Sequence, residues 1–250
     1  MEIIKVEGIV LGETNYSESS KILKVFTKEY GIISVMSKGC RSLKSKLRGV
    51  SNKLSYANFH IHYKENGIST LIEADTIDTL KNIITDILNI SYLSYILDLT
   101  EQVYKHSKSD EIYKILISIV NKINEGYDPS VLTIIYELKL LQFLGISPSI
   151  DGCSICGNTN NILTISVRDG GFVCKNCYSS GKIYSNQVIK LIRMFIYLDI
   201  NNITKISLKY ETKKELELFI NDYYDTLSGI YLKSKDFIKD LNKISSKGSR

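Results

Sequence analysis

The run Tyr56-Ala-Asn-Phe-His-Ile-His-Tyr63-Lys-Glu-Asn-Gly67-Ile-Ser-Thr-Leu-Ile-Glu-Ala-Asp75 decides how the first third of the chain is read. Two short segments rich in Ile, Phe and Tyr flank Asn66-Gly67, the strongest local hairpin signal in the chain. Working outward, Ile3–Leu11, Lys21–Thr27 and Gly31–Ser37 have the same character. Turn formers at Asn15–Ser20, Glu29–Gly31 and Gly39–Asn52 separate them. Five strands with one long insertion between the third and fourth predict a small closed barrel. An OB-fold is the leading candidate and an SH3-like barrel the alternative.

Beyond the barrel the apolar period becomes helical. Leu80, Ile83, Ile84, Ile87, Leu88, Leu93, Ile96 and Leu97 form one stripe. Asp110 is placed to cap a second helix with Ile112, Ile115, Leu116, Ile119 and Ile123 on its apolar face. Asp128-Pro129 starts a third, over Val131–Leu144, which Gly145 ends. Helical period returns over 185–198 and 211–230. The tail Lys233–Arg250, with six basic and two acidic residues, is expected to fray. The predicted class is therefore α+β. Residues 1–78 form an OB-fold nucleic-acid-binding domain and 79–150 a helical domain. Residues 151–182 form a zinc-binding insertion, and 183–250 are C-terminal helices that complete the helical domain.

The insertion contains Cys153-Ser-Ile-Cys156 and, 17 residues on, Cys174-Lys-Asn-Cys177. Each CxxC holds two thiolates on one tight turn, and two such turns complete the closed tetrahedron of a structural zinc site. One structural Zn2+ is expected, on Cys153, Cys156, Cys174 and Cys177. Gly157 stands where a positive φ suits the first turn. Lys175, Lys182 and Arg168 are available to offset the charge of four thiolates. A redox dithiol would call for a single CxxC beside a βαβ unit, which is absent.

The net charge is +5, from 32 Lys+Arg against 27 Asp+Glu. Residues 1–75 are net +3, residues 76–150 net −3, and both later stretches are positive again. The densest charge is Ser37-Lys-Gly-Cys-Arg-Ser-Leu-Lys-Ser-Lys-Leu-Arg-Gly49, which through Lys53 holds six cations and no anion. Interleaved Ser and Gly offer further donors to phosphate oxygens. Lys38, Arg41, Lys44, Lys46, Arg48 and Lys53 are the candidate nucleic-acid contacts, with Lys21 and Tyr16. Tyr56, Phe59, Tyr63, His60 and His62 are further candidate stacking faces. The competing reading is a solvated loop. Cys40 is expected to be a free, modifiable thiol on a mobile loop that supports little of the core. Gly39-x4-Lys44-Ser45 falls short of a phosphate-binding P-loop, lacking the second glycine and one residue of spacing.

Ordinary globular composition, 44% apolar and 24% charged, argues against general disorder. No apolar run is long enough to span a bilayer, and Glu2, Lys5 and Glu7 break any secretory core, so a cytoplasmic location is expected. No HExxH, GxSxG, GxGxxG or nuclease-type carboxylate cluster is present, and no enzymatic activity is expected. The rival readings are a nucleic-acid-processing enzyme and a zinc-containing OB-fold RNA-binding or transcription-associated module.

The order of parts resembles the bacterial RecO family of recombination mediators over nearly the whole chain. Gly8-Ile-Val-Leu11 is similar to that family's opening strand, and Tyr16-Ser-Glu-Ser-Ser-Lys-Ile22 to its Y-x-E-x-D-K-I turn, with Ser20 for Asp. Thr27-x-x-Tyr-Gly-x-Ile-Ser34 is similar to its third-strand entry. Ser37–Ser45 resembles its K-G-A-R-R-x-K-S loop, with Cys40 for the small residue and Ser42 for an arginine. Glu137-Leu-Lys-Leu-Leu-x-x-Leu-Gly-x-x-Pro148 resembles E-L-R-L-L-x-x-L-G-x-x-P, and Leu232-Lys-Ser-Lys-Asp-Phe237 the closing L-K-S-R-x-F. Ser51-Asn-Lys-Leu54 departs from the family's L-Q-P-F. The resemblance implies DNA repair and recombination: binding of single- and double-stranded DNA, strand annealing, and partnership with RecR and single-strand-binding protein. It also implies help in loading a RecA-type recombinase, and a nucleoid-associated place in a bacterial cytoplasm.

Overall fold

The computed structural model describes residues 2–238 and 240. Its first part is a closed barrel of β1 (Ile3–Asn15), β2 (Lys21–Thr27), β3 (Gly31–Ser37), β4 (Tyr56–His62) and β5 (Ile68–Asp78), in the order β1-β2-β3-β5-β4. β5 crosses over to lie parallel to β3, from Ser34 opposite Ile68 to Met36 opposite Thr70. That crossover makes the barrel the Greek-key OB-fold and sets aside the SH3-like alternative. Inward alternation places Val6, Val10, Leu23, Val25, Val35, Ala57, Phe59, Ile61 and Leu71 in its interior.

β1 runs four residues past the apolar run that marks it in the sequence. Ile3–Ile9 pair with β4, and Gly8–Asn15 pair with β2 across a bulge between Val10 and Gly12. The added residues are polar, so no periodicity announces them, yet they let one strand close both sides of the barrel. β5 likewise continues past Asp75 to Asp78. The β4–β5 hairpin forms without a left-handed residue at Asn66 or Gly67, so it is not the tight two-residue turn that this pair favours.

The helices are α1 (Lys81–Ile84), α2 (Ile87–His106), α3 (Asp110–Asn124), α4 (Pro129–Leu140), α5 (Asn186–Tyr197) and α6 (Tyr210–Leu227). The stripe that reads as one helix from Leu80 to Leu97 is two. Asp86 starts α2 afresh by accepting from the Leu88 and Asn89 N–H groups. Ser109, rather than Asp110, caps α3. Asp128 caps α4 with Pro129 in its first turn, and a 3-10 turn over Leu141–Leu144 carries it to Gly145 at φ +70°. α4 is buried on nearly every side, from Ser130 to Leu138 and at Leu140, so it is the axis of the helical body.

The barrel docks onto α2 and α3. Glu7 Oε1 accepts from the Tyr56 hydroxyl at 2.6 Å and the Tyr113 hydroxyl at 3.1 Å. Burial, then this carboxylate, pushes both phenols above their ordinary range, so they stay protonated donors. Phe26 packs against the rings of Tyr104 and Tyr113. Lys24 pairs with Glu101, and Lys53 with Asp98, each at 2.6 Å. Gly31 is required at this seam: its φ is +65°, and a Cβ there would lie 2.0 Å from the Tyr104 hydroxyl.

The tail does not fray where it begins. Residues 233–238 are helical and Ile238 is buried. Lys239 and residues 241–250, also expected to fray, lie outside the described residues. Lys235 Nζ sits 2.6 Å from Glu137 Oε1, deep against α4, and 5.4 Å from the ring centres of Tyr95 and Tyr224. The Tyr95 hydroxyl donates to the same carboxylate oxygen at 2.5 Å. Without its cation a carboxylate this buried is an uncompensated charge. Lys235→Met should therefore lower unfolding free energy by about 3–5 kcal/mol in urea denaturation. Glu137→Gln combined with Lys235→Met should recover much of that loss; an equal loss in both variants would remove the ion pair from this role.

Candidate nucleic-acid interface and thiolate centre

The segment between β3 and β4 is a chain of tight turns, closed by N–H to C=O bonds from Ser42 to Gly39, Ser45 to Ser42 and Arg48 to Ser45. All but one of the apolar side chains from Cys40 to Val50 face inward: Val50 and the half-buried Leu47 pack into the barrel core, and Cys40 is only 2% exposed, whereas Leu43 is exposed. The Ser37 and Ser51 hydroxyls pair inside at 2.8 Å. Gly39 N–H donates to Ser20 Oγ, Arg41 N–H to the Ser19 carbonyl and Lys53 N–H to Glu13 Oε2. This corrects two expectations. The loop supports the core, because it closes one end of the barrel, and Cys40 is a buried thiol in a pinned turn rather than a modifiable one on a mobile loop.

The cations divide into two groups. Lys38, Lys44, Lys46 and Arg48 are exposed and have no carboxylate partner among the described residues. Arg41 is exposed too. Its Nη1 donates to the Ser17 carbonyl at 2.9 Å, which ties the loop to the β1–β2 turn carrying Tyr16, itself 62% exposed. Lys21 and Lys53 are anchors. Lys21 Nζ donates to the Ser51 carbonyl and Asn52 Oδ1 and lies 3.6 Å from Glu13, leaving its side chain 17% exposed. Lys53 reaches Asp98 and the Ser94 carbonyl on α2. Their partners are remote in sequence, and nothing local signals them.

Of the other aromatic candidates, Tyr56 and Phe59 are buried in the core and present no free ring face. Tyr63 packs on Tyr30 at 4.8 Å between centroids. His60 stands among outward carboxylates, 3.3 Å from Asp75 and 3.7 Å from Glu73, and His62 is half-buried. These surroundings favour neither histidine as a base-stacking face.

The four remaining cysteines converge. A two-stranded hairpin that the loop-like composition conceals, β6 (Ile162–Ser166) and β7 (Gly171–Cys174), carries Cys174 at its end and brings the second turn to the first. β7 lies close against Ser149, where a Cβ on Gly171 would stand 2.3 Å from the Ser149 carbonyl oxygen. In the first turn Gly157 has φ +74°, and its N–H donates to the Cys153 carbonyl at 2.8 Å. The four sulfurs all lie within 4.8 Å of one another. A tetrahedron with metal–sulfur arms of about 2.3 Å has edges of about 3.8 Å, and Cys156 Sγ and Cys174 Sγ are 3.8 Å apart. Burial opposes ionisation of Cys153, but N–H groups of Cys174, Cys156 and Ile155 outweigh it and bring the thiol down to about 6. Sharing with Cys156 and Cys174 pushes Cys177 up to about 12. One thiolate forms readily and a full set does not, which is the balance a bound cation shifts. Arg168 reaches Asp169, Ser179 and Ser180 beside the second turn, and Lys182 lies over the Tyr184 ring.

A Greek-key barrel presenting a carboxylate-free cation loop, joined to a helical body with a four-cysteine cluster able to hold a metal ion, defines a class: OB-fold proteins with a closed thiolate centre. Residues 1–80 match the family description "Recombination protein O N terminal" and residues 84–236 match "Recombination protein O C terminal", so the chain belongs to the RecO family. It is 35% identical to the DNA repair protein RecO of Listeria innocua over 96% of this chain and 95% of that one. It is 37% identical to that of Halalkalibacterium halodurans over 96% of each chain. With the DNA repair protein RecO of Bacillus cereus it shares 37% identity over 96% of this chain and 98% of the relative.

The burial of Cys40 has a chemical consequence. In the native protein, alkylation of Cys40 by iodoacetamide should be slower than in the urea-unfolded chain by at least about a hundredfold, since reaction requires local opening. Peptide mass mapping would measure this, and equal rates would mean that the β3–β4 segment is open in solution.

Proposed function

We propose that this protein is a DNA-binding recombination mediator acting in DNA repair. It binds single- and double-stranded DNA, anneals complementary strands, and with RecR helps load a RecA-type recombinase onto strands coated by single-strand-binding protein. The observation that carries the reading is the set of five exposed cations, Lys38, Arg41, Lys44, Lys46 and Arg48, held on one pinned loop without carboxylates. Membership of the RecO family supports it. Lys21 and Lys53 serve that site as anchors, and Tyr16 offers a ring face at its margin. Residues 1–78 act as the nucleic-acid-binding domain, 79–150 and 183–250 as the helical body, and 151–182 as the metal-binding insertion. The reading places the protein in the bacterial cytoplasm at the nucleoid; no described helix is long and apolar enough to cross a membrane.

Annealing needs no covalent step, and the reading assigns no catalytic residue. Two strands repel through their phosphates, and bases sequestered by a coating protein meet slowly. A fixed cation array lowers the repulsion and raises local strand concentration. The acidic helical middle, net −3 over residues 76–150, suits DNA poorly and is better placed against protein partners. The cysteine cluster is assigned one structural Zn2+ on Cys153, Cys156, Cys174 and Cys177. The sulfur spacing and an all-thiolate donor set with no open position support that choice.

Two experiments test these assignments. With about five phosphate contacts, log K against log salt on single strands should slope roughly −3 to −4, at about −0.7 per contact. Changing Arg41, Lys44 and Lys46 together to alanine should flatten that slope by about 2 and slow annealing, with circular dichroism unchanged. An unchanged slope in the folded triple variant would make the segment a solvated loop.

Elemental analysis of protein purified under reducing conditions should give one zinc per chain. Cys174→Ser should lose the metal and much of the folded yield. The effect should be below the roughly 10 kcal/mol of isolated zinc peptides, because Ile165 of β6 and Phe172 of β7 also pack into the core of the helical body. Metal-free wild-type protein that unfolds like the loaded form would dismiss the structural role.

A further inference from the structure

Among the large apolar side chains of the described residues, Leu43 is the most exposed, at 82%. A single exposed leucine is ordinary on a protein surface, but the position of this one is not. It lies in the Ser42–Ser45 turn, flanked by Arg41 and Lys44, on the cation segment between β3 and β4. The other apolar residues from Lys38 to Val50, namely Cys40, Leu47 and Val50, turn inward to close the barrel. Their spacing with Leu43 is three, four and three, the period of one buried face. Leu43 fits that period and yet points outward, because three successive tight turns replace the helix the period would suit. The segment therefore holds an uncovered isobutyl group at the centre of its positive charge. Arg41 ties the same turn to the one bearing the exposed Tyr16.

We propose that Leu43 is an apolar contact for the nucleobases of a single strand and gives this loop its preference for unpaired DNA. The inference rests on the loop being the DNA site. The ligand that alternates dense negative charge with apolar faces is a single nucleic-acid strand. Its phosphates meet Arg41, Lys44 and Lys46, and an unstacked base covers Leu43 between them. In duplex the base faces are stacked on one another and the phosphates stand outermost. The cations then keep their partners and Leu43 has none. Apolar side chains, leucine included, are known to insert between base steps of duplex DNA, but only by unstacking them at a cost of about a few kcal/mol per step; an unpaired base carries no such cost, and every base has a face to offer whatever its sequence.

The test uses two variants of the full chain, and the exposure of Leu43 leaves both free to fold. Leu43→Ser should bind a single-stranded oligonucleotide about five- to tenfold more weakly, the loss expected from leaving part of a leucine uncovered. Its salt slope should equal that of the parent, since no cation is removed, and its affinity for duplex should be unchanged. The chain contains no tryptophan, so Leu43→Trp provides a single fluorophore. Its emission should be quenched by single strands and little altered by duplex. Unweakened single-strand binding by Leu43→Ser would overturn the proposal and leave Leu43 to a protein partner; equal losses on single strands and duplex would overturn the strand preference. If the Arg41, Lys44 and Lys46 triple variant flattens the slope while Leu43→Ser is silent, only the Leu43 contact falls. If both are silent, the loop loses its DNA role and Leu43 loses its ligand with it.

Discussion

A five-stranded barrel has ends that water can enter, and here the chain itself must close one. Val50 and Leu47 do so from the segment between β3 and β4, with Cys40 buried alongside and the Ser37–Ser51 hydroxyl pair satisfied inside. The segment cannot both plug the barrel and drift. The cations that alternate with its inward residues are therefore presented from a fixed backbone. A flexible basic loop would lose conformational entropy on meeting a strand, about 1–2 kcal/mol for each residue ordered. Here folding has already met most of that cost.

Charge is sorted by the same architecture. The helical middle is acidic and the barrel basic, and the two meet where Glu101 takes Lys24 and Asp98 takes Lys53. These pairs, with the Tyr56 and Tyr113 hydroxyls on Glu7, seat the barrel against α2 and α3. The cations nearest the helices are neutralised, and those farther along the loop are left open to solvent. An overall charge of +5 thus understates the field at the loop, which has no acidic residue from Lys38 to Lys53.

Strands, most helices and the cysteine pairs were legible because each has a local cause. These are apolar alternation in β2 to β4, Asp128-Pro129 at the start of α4, and two CxxC turns. What the sequence concealed depends on distance. The far half of β1 is polar and is held by pairing across a bulge, so no pattern marks it. The β6–β7 hairpin reads as a glycine-rich loop because four- and five-residue strands are too short for a period. Lys21 and Lys53 look like the other cations of the site, and only Glu13, Ser51 and Asp98 turn them into anchors. Tyr56 and Phe59 could have faced either way until the register was fixed. Lys235 was hidden for the same reason: its carboxylate lies 98 residues away.

That separation imposes an order on synthesis. The barrel's strands are complete once Asp78 has been made, so its sheet can close early. The helical body is penalised for following in chain order, because α4 emerges with a carboxylate whose cation is translated 98 residues later. At roughly 5–20 residues per second the interval is about 5–20 seconds. Through it Glu137 has no cation, and closing the apolar faces of α2 and α4 over it carries the cost of an uncompensated buried charge. A ribosome-arrested chain ending at residue 230 would then carry a protease-resistant barrel followed by a protease-sensitive helical segment.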